Sequence, residues 1–242
     1  MKRLLIPAAA ACLLTACATS PTGRSQFMLI SPESAIVESR TAYLSTVSDL
    51  DKQNKLSSDK ALAKRVAEIT GRLVTVAMQE YPRSADWEWS VAVIDDPKTV
   101  NAWCMAGGRM AVYTGLFEQL KLTDAEFAQI MGHEISHALA NHTAERMSRA
   151  MATTLGVVAV GAMSDRPAVA MAGYDPDAAV TLWEKMGSVG GGERPPEFLS
   201  THPAPGNRQA ALAAMANEAR QLNPSGSKAR VQPIQVLTAD AQ

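Results

Sequence analysis

The feature that most constrains this fold is a short motif, H-E-I-S-H at residues 133–137, within a predicted helix. Its two histidines are four residues apart, so on a helix both imidazoles project from one face about one turn apart. Thr123 and Glu126 have the spacing of a capping box, which predicts a helix that begins at Thr123 and continues to at least Arg149. The chain is therefore expected to build its core around a helix that can carry a metal ion.

The motif also supplies the groups that a hydrolytic zinc site needs. His133 and His137 can bind the same ion, and Glu134 lies beside the first ligand, where its carboxylate can accept a proton from water. Zinc lowers the pKa of a bound water molecule to about 7, so a carboxylate is a sufficient base at neutral pH. We predict one Zn²⁺ per chain, with the two histidines as ligands and Glu134 as the general base.

A third histidine follows closely but does not fit the same helical face. On a continuous helix His142 lies on roughly the opposite side from His133, which predicts a residue that faces solvent or supports a ligand from behind. Ala140 and Thr143 occupy the positions where the extended metzincin motif has a glycine and a third histidine. That subclass is excluded, and we expect the third ligand to be an acidic residue from a later helix.

The beginning of the chain resembles a lipoprotein signal peptide. Residues 1–16 combine a basic start with an apolar run shorter than the roughly 20 residues that span a bilayer. The sequence L-T-A-C at 14–17 resembles a lipobox, which implies cleavage before Cys17 and a lipid anchor on that residue. Ala18 in the next position fits sorting to the outer membrane. The alternative is an ordinary signal peptide that is cleaved near Ala18.

The remaining pattern predicts one domain over residues 17–222, of the α+β class: a mainly helical, gluzincin-like fold with a small antiparallel sheet. The segment 223–242 begins with a cluster of turn-forming residues and is expected to be poorly ordered. The predicted elements include helices at 33–47 and 59–81 and strands at 89–94 and 109–114.

The balanced charge excludes a nucleic-acid-binding protein. Lys and Arg number 23 against 24 Asp and Glu, a net charge of −1, which gives no electrostatic surface for nucleic acid. Cleavage before Cys17 would leave Cys104 without an intramolecular disulfide partner, and we expect it to be a buried apolar residue rather than a reactive thiol.

Several motifs together resemble the CaaX-prenyl-endopeptidase-like zinc metallopeptidases, and most closely their bacterial lipoprotein branch, similar to the low-osmolarity-induced outer-membrane proteases. The resemblance covers roughly residues 21–222. It is carried, in order, by N-A-W-C-M-A-G-G-R at 101–109, V-Y-T-G-L at 112–116, H-E-I-S-H-A at 133–138, A-G-Y-D-P at 172–176 and T-H-P at 201–203.

The resemblance implies a role for several of these residues. His133 and His137 would bind zinc, Glu134 would act as the general base, and the loop residue His202 would approach the metal, where it can block it or stabilise the oxyanion. The strand at 108–114 would be the edge to which an extended substrate adds through backbone hydrogen bonds. The alternatives are that this strand belongs only to the core and that His202 is an ordinary loop residue.

The sequence departs from this family at the third zinc ligand. The family has a glutamate in an E-x-x-x-D motif before the A-G-Y-D-P segment, but between His142 and Tyr174 the only acidic residues here are Glu145 and Asp165. On a continuous helix Glu145 is too far from the histidines to share their metal. We predict Asp165 as the third metal ligand; the other candidates are His202 and Glu184.

These observations predict a membrane-tethered zinc metalloendopeptidase of the bacterial envelope, anchored through Cys17, whose peptidase activity is impaired by the missing glutamate. Its expected substrates are extended or misfolded envelope proteins, and its expected location is the outer membrane facing the periplasm. One alternative is a non-catalytic lipoprotein that binds unfolded proteins as a chaperone or adaptor. Another is an unstable deletion product without a function.

Overall fold

The computed structural model describes residues 17–19, 25–154, 168–189, 216 and 218–239. Among the described residues the longer helices are α1 (Pro32–Lys52), α2 (Lys60–Glu80), α4 (Asp124–Leu139), α5 (His142–Thr154) and α7 (Ala178–Val189), and the shorter ones are α3 (Thr114–Leu120) and α6 (Ala168–Met171). The strands are β1 (Cys17–Thr19), β2 (Ser25–Phe27), β3 (Ser90–Ile94), β4 (Ala102–Met105), β5 (Arg109–Tyr113) and β6 (Gln235–Leu237).

Local sequence signals account for the beginnings of the two long N-terminal helices. The Ser31 side chain accepts a hydrogen bond from the Ser34 amide, and Pro32 follows at the first helical position, where its missing N–H is not needed. The Asp59 carboxylate accepts from the amides of Ala61 and Leu62, both at 2.9 Å. Both helices therefore begin where side-chain capping satisfies their first amides.

The predicted α+β architecture is correct, but the sheet is mixed rather than antiparallel. Its strand order is β4-β5-β3-β6, in which β3 pairs in parallel with β5 and β6, and only β4 and β5 are antiparallel. The reason is a strand that the sequence pattern did not predict: β4 precedes β5 and forms the hairpin with it. Gly107 and Gly108, at φ +82° and +76°, make the turn between them.

Helices cover both faces of this sheet. On one face Val91 and Val93 of β3 pack with α2 and α4, and on the other Ala92 and Ile94 pack with Tyr43 of α1. Strand β3 is buried along its whole length, as expected for a parallel strand with helices on both sides. The described part of the chain contains no helix that is long and apolar enough to cross a membrane.

The expectation of a poorly ordered C-terminal segment is wrong for the part that the structure describes. Strand β6 adds to the sheet beside β3. The Gln232 amide donates to the Gly71 carbonyl at 3.1 Å, and a Cβ at Gly71 would lie 2.5 Å from the Gln232 carbonyl oxygen. The turn-forming cluster is therefore a connection into a further strand, whose free backbone groups the edge of β3 satisfies.

Candidate metal centre

Helix α4 begins at the predicted capping box. Thr123 Oγ1 accepts from the Glu126 amide, and the Glu126 carboxylate accepts from the Thr123 amide at 2.8 Å. The same buried carboxylate also accepts from Thr181 at 2.8 Å and from Lys185 at 2.6 Å, both on α7. Burial alone would raise the pKa of Glu126, but these hydrogen bonds outweigh it and hold the pKa below its ordinary value. Hydrogen bonds to Glu126 thus connect the beginning of α4 to α7.

The predicted metal-binding motif lies in the middle of α4 and forms one cluster. Ligand atoms of His133, Glu134 and His137 all lie within 4.8 Å of one another. The two imidazole rings have centroids 4.4 Å apart at an interplanar angle of 73°. His137 and Glu134 are buried and His133 is half-buried, with its Nε2 atom shielded from solvent.

The packing behind the cluster is close. A Cβ at Gly132, directly before the first histidine, would lie 2.4 Å from Cγ2 of Val169 on α6. One turn earlier, the Gln129 amide donates to the Asp175 carbonyl at 3.1 Å. Helix α4 is therefore held from behind by α6 and by the segment that follows it, which carries the A-G-Y-D-P sequence.

The predicted continuous helix from Thr123 to Arg149 is wrong, because it breaks directly after the motif. Helix α4 ends at Leu139, and Asn141 adopts the left-handed conformation at φ +57° before α5 begins at His142. Asparagine adopts this conformation more readily than most residues, so a single residue suffices to redirect the chain.

This break brings His142 back to the motif. Its Nδ1 lies 2.7 Å from Nδ1 of His137, with the ring centroids 4.9 Å apart. The geometric argument that placed His142 on the far side of the helix fails with the break, but one of the two predicted roles, support of a ligand from behind, matches its position. When His137 Nδ1 is the donor in this contact, its Nε2 carries no proton and can bind a metal.

Strand β4 runs beside α4 and brings Cys104 close to the motif. Cys104 is buried, and burial, followed by the charge of the Glu134 carboxylate, raises the pKa of its thiol well above the ordinary value. This fits the expectation of a buried apolar residue. The strand predicted to form the edge, 108–114, corresponds to β5, which lies between β4 and β3, so that prediction is wrong. Among the described strands, β4 is the one at this end of the sheet.

The remaining predicted site residues divide into two groups. Asp165 and His202 lie outside the described residues. Cys17 lies in β1, paired with Phe27 of β2. Glu184 lies on α7, and Glu145 lies on α5, where its buried carboxylate accepts from Arg149 at 2.7 Å.

Sequence reasoning did not predict two features near the centre: the helix break that brings His142 against His137, and the buried position of Gln26. The available signal for the first was Asn141, which permits a left-handed break. Nothing in the local sequence around Gln26 indicated its position, because its contacts lie more than a hundred residues away along the chain.

Comparison with known proteins assigns this region to a family. Residues 60–168 match peptidase family M48. This segment is a peptidase family M48 domain. It contains β3 to β5, the whole motif and α5. The predicted resemblance to this class of metallopeptidase is therefore confirmed.

Named relatives of the M48 domain occur in mitochondria and bacteria. The chain is 33% identical over 157 residues to the mitochondrial metalloendopeptidase OMA1 of Arabidopsis thaliana, and this match covers 53% of this chain and 32% of that protein. It is 26% identical over 231 residues to the human OMA1, a match that covers 77% of this chain and 43% of that protein. It is 28% identical over 166 residues to the β-barrel assembly-enhancing protease of Escherichia coli, a match that covers 52% of this chain and 33% of that protein. The chain thus spans less than half of the length of these relatives.

The donor set of the cluster fits a zinc ion. Zinc is held in catalytic sites by three protein ligands drawn from histidine nitrogen, carboxylate oxygen and cysteine sulfur, with a fourth position open. His133 and His137 supply two imidazoles on adjacent turns of α4, and Glu134 points a carboxylate into the same space. One further protein ligand is needed, and among the described residues no other acidic, histidine or cysteine side chain joins the cluster.

Proposed function

We propose that this chain is a zinc-dependent endopeptidase, tethered to a bacterial envelope membrane, that hydrolyses peptide bonds of extended or misfolded envelope proteins. The observation that carries the proposal is the cluster of His133, Glu134 and His137 within an M48 domain. The names of the relatives, metalloendopeptidases and a protease that enhances β-barrel assembly, support a role in quality control of membrane or envelope proteins.

In the proposed mechanism the two histidines of the cluster bind the metal and the glutamate transfers a proton. A bound zinc ion supplies Lewis acidity to water and to the substrate carbonyl. His133 and His137 hold it, and the Glu134 carboxylate accepts a proton from the attacking water and delivers it to the leaving amine. The burial of Glu134 keeps this proton away from bulk solvent between the two steps. We assign oxyanion stabilisation to His202 and the third ligand to Asp165, both on the expectation from sequence.

The substrate is proposed to bind along the outer edge of β4. Because Tyr113 N–H donates to Asn101 C=O, and hydrogen-bonded pairs alternate in an antiparallel ladder, Ala102 and Cys104 direct their backbone groups away from β5. An extended peptide that pairs with these groups would lie beside α4 and its motif. Recognition through backbone groups is largely independent of side-chain identity, which suits a protease that acts on unfolded segments.

The membrane attachment is proposed to be a lipid on Cys17. The lipobox sequence supports this assignment, and the Ala18 that follows supports the outer membrane facing the periplasm. Nucleic acid is not proposed as a partner, given the balanced charge. Cys17 pairs with Phe27 in the hairpin of β1 and β2, so a lipid on Cys17 would be attached within the folded domain rather than at the end of a long linker.

Zinc content is the first measurement that tests this function. The purified full chain is dialysed without chelator and compared with His133→Ala. One zinc per chain that disappears in the variant is expected. A folded wild-type chain with almost no zinc would contradict the proposal.

An activity assay then tests the base. The wild-type chain is expected to cleave an unfolded model protein, and Glu134→Gln is expected to bind zinc without cleaving. Cleavage by Glu134→Gln at the wild-type rate would assign the activity to a contaminant.

The missing family glutamate favours a second candidate, a non-catalytic lipoprotein that binds unfolded envelope proteins as a chaperone or adaptor. In that case the wild-type chain would suppress aggregation of an unfolded protein equally well with and without zinc, and Glu134→Gln would have no effect. The presence of Glu134 in the cluster favours the enzyme, because binding alone needs no general base.

A further inference from the structure

A buried amide from the N-terminal hairpin reaches the end of the metal-binding helix. Gln26 of β2 is 2% exposed, and its Nε2 donates to the Ala140 carbonyl oxygen at 2.7 Å and to Glu145 Oε2 at 3.1 Å. Ala140 is the C-cap residue directly after α4, and Glu145 lies in the first turn of α5. One side chain therefore contacts both helices at the break between them.

The break needs such a contact for a simple reason. Carbonyl groups in the last turn of a helix lack intrahelical partners, and Ala140 is buried at 6% exposure, where water does not supply one. The Gln26 amide satisfies this carbonyl. Its second hydrogen bond goes to the carboxylate of Glu145, which Arg149 also contacts, so the direction of α5 relative to α4 is fixed from the same side.

The residues after β2 attach the same segment further along α5. The amides of Leu29 and Ile30 donate to Ser148 Oγ at 2.9 and 2.8 Å, and Ser148 in turn donates to the Ala144 carbonyl at 2.7 Å. Residues 25–30 thus form a strap along α5, which we call the N-terminal strap. Gln26 is the part of the strap that lies at the break.

The direction of α5 decides where its first residue, His142, lies. In the observed geometry His142 Nδ1 meets His137 Nδ1 at 2.7 Å. A hydrogen bond between two imidazole nitrogens requires one nitrogen with a proton and one without. With His137 Nδ1 as the donor, the contact fixes the orientation of the His137 ring and leaves its Nε2 unprotonated for a metal. A small rotation of α5 would break this contact.

We propose that Gln26 is a positioning residue for the metal centre: by holding the break between α4 and α5 it keeps His142 against His137 and so orients His137 for zinc. The inference rests on the proposed function only in taking His137 as a zinc ligand. It makes the segment that follows Cys17 part of the support of the metal site.

The test measures zinc affinity on the full chain. Gln26→Ala removes the amide and its volume, whereas Gln26→Met keeps an unbranched side chain of similar length without an N–H donor. Both variants are expected to bind zinc about tenfold more weakly in competition with a chelator, the lower end of the range seen when a residue behind a ligand is lost.

Thr181→Val is the matched control. It removes the hydrogen bond from Thr181 to Glu126 at the opposite end of α4, so it should lower Tm without changing zinc affinity. Unchanged affinity in both Gln26 variants would overturn the proposal, and so would an equal loss of affinity in the control at an equal loss of Tm.

A second readout uses the metal-free chain and does not depend on zinc. The chain has 4 histidines, so imidazole ¹⁵N signals can report the hydrogen bond between His137 and His142. The ¹⁵N signals that mark this hydrogen bond are expected in the wild type and in Thr181→Val. They are expected to be lost in both Gln26 variants. Persistence of these signals in those variants would overturn the proposal. A wild type that shows the Gln26-dependent signals but binds no zinc would refute the proposed function while leaving Gln26 as the residue that places His142.

Discussion

His137 and His142 face each other across a helix break, with their Nδ1 atoms 2.7 Å apart. They are five positions apart in sequence, a spacing that would point them in different directions on an uninterrupted helix. The left-handed Asn141 between them is what makes the contact geometrically accessible. The metal-binding motif therefore ends in a turn that returns a third imidazole to support the second.

Loss of this imidazole should weaken the metal site without unfolding the domain. We expect His142→Ala to lower zinc affinity about tenfold to a hundredfold, because residues that orient metal ligands typically have effects of this size. Chelator competition on the full chain measures it. Thr181→Val, which removes a hydrogen bond at the opposite end of α4, is the control and should leave zinc affinity unchanged. Equal affinities of wild type and His142→Ala would show that the contact does not orient His137.

Stability should depend on which residue occupies position 141, because Asn141 has the left-handed conformation at the break. Asn141→Ala is expected to lower the free energy of unfolding by about 1 kcal/mol, since this conformation costs roughly 1–2 kcal/mol for ordinary residues, whereas Asn141→Gly should be nearly neutral. Urea denaturation measures both. Asn54, at φ +53° after α1, is the matched position: Asn54→Ala should lose similar stability, but only Asn141→Ala should also weaken zinc binding. Similar zinc affinities in the two alanine variants would contradict this.

The close approach of α6 to α4 predicts a steric effect next to the first ligand. Gly132→Ala should lower the free energy of unfolding by about 1–3 kcal/mol, because the new methyl group would lie 2.4 Å from Cγ2 of Val169 and a β-branched side chain has little freedom to move away. The double variant with Val169→Ala should recover part of this loss in a double-mutant cycle. Strictly additive losses would indicate that the two positions do not touch.

Glu126 should make stability depend on pH in the acidic range. Its pKa is lowered in the folded chain, so its contribution is fully present above the unfolded value of about 4.3 and is lost as the pH falls through the folded value. Thermal unfolding of wild type and Glu126→Gln from pH 7 to 3 measures it. The difference in Tm should be largest near neutrality and shrink as the pH falls below the unfolded value. A difference that stays constant over this range would refute the assignment.

Cys104 should resist alkylation in the folded chain. Its raised pKa leaves very little thiolate at pH 8, and its burial excludes the reagent. Peptide-level mass spectrometry after iodoacetamide treatment should find Cys104 labelled at least about a hundredfold more slowly in the native chain than in urea. Rapid native labelling would mean that β4 opens readily from the side of α4.

The fold and the centre of the site were largely predictable because their signals are local. The capping box at Thr123 fixes where α4 begins, since both of its hydrogen bonds lie within three residues. The two motif histidines share a face on any α-helix, whatever surrounds it. The alternation and composition of β3 and β5 indicated strands, although not their relative direction. A short apolar strand has the same sequence pattern whether its partner is parallel or antiparallel.

The sequence by itself determined the capped helix, its His-Glu-His face and the α+β class, since each depends on residues a few positions apart. Only the tertiary structure decided that β5 is internal and β4 terminal in the sheet, that the C-terminal segment adds a strand, and that Gln26 lies at the end of α4 more than a hundred residues away. These outcomes depend on which buried backbone group finds which partner. That choice is made by the packing of the whole domain, and no local pattern encodes it.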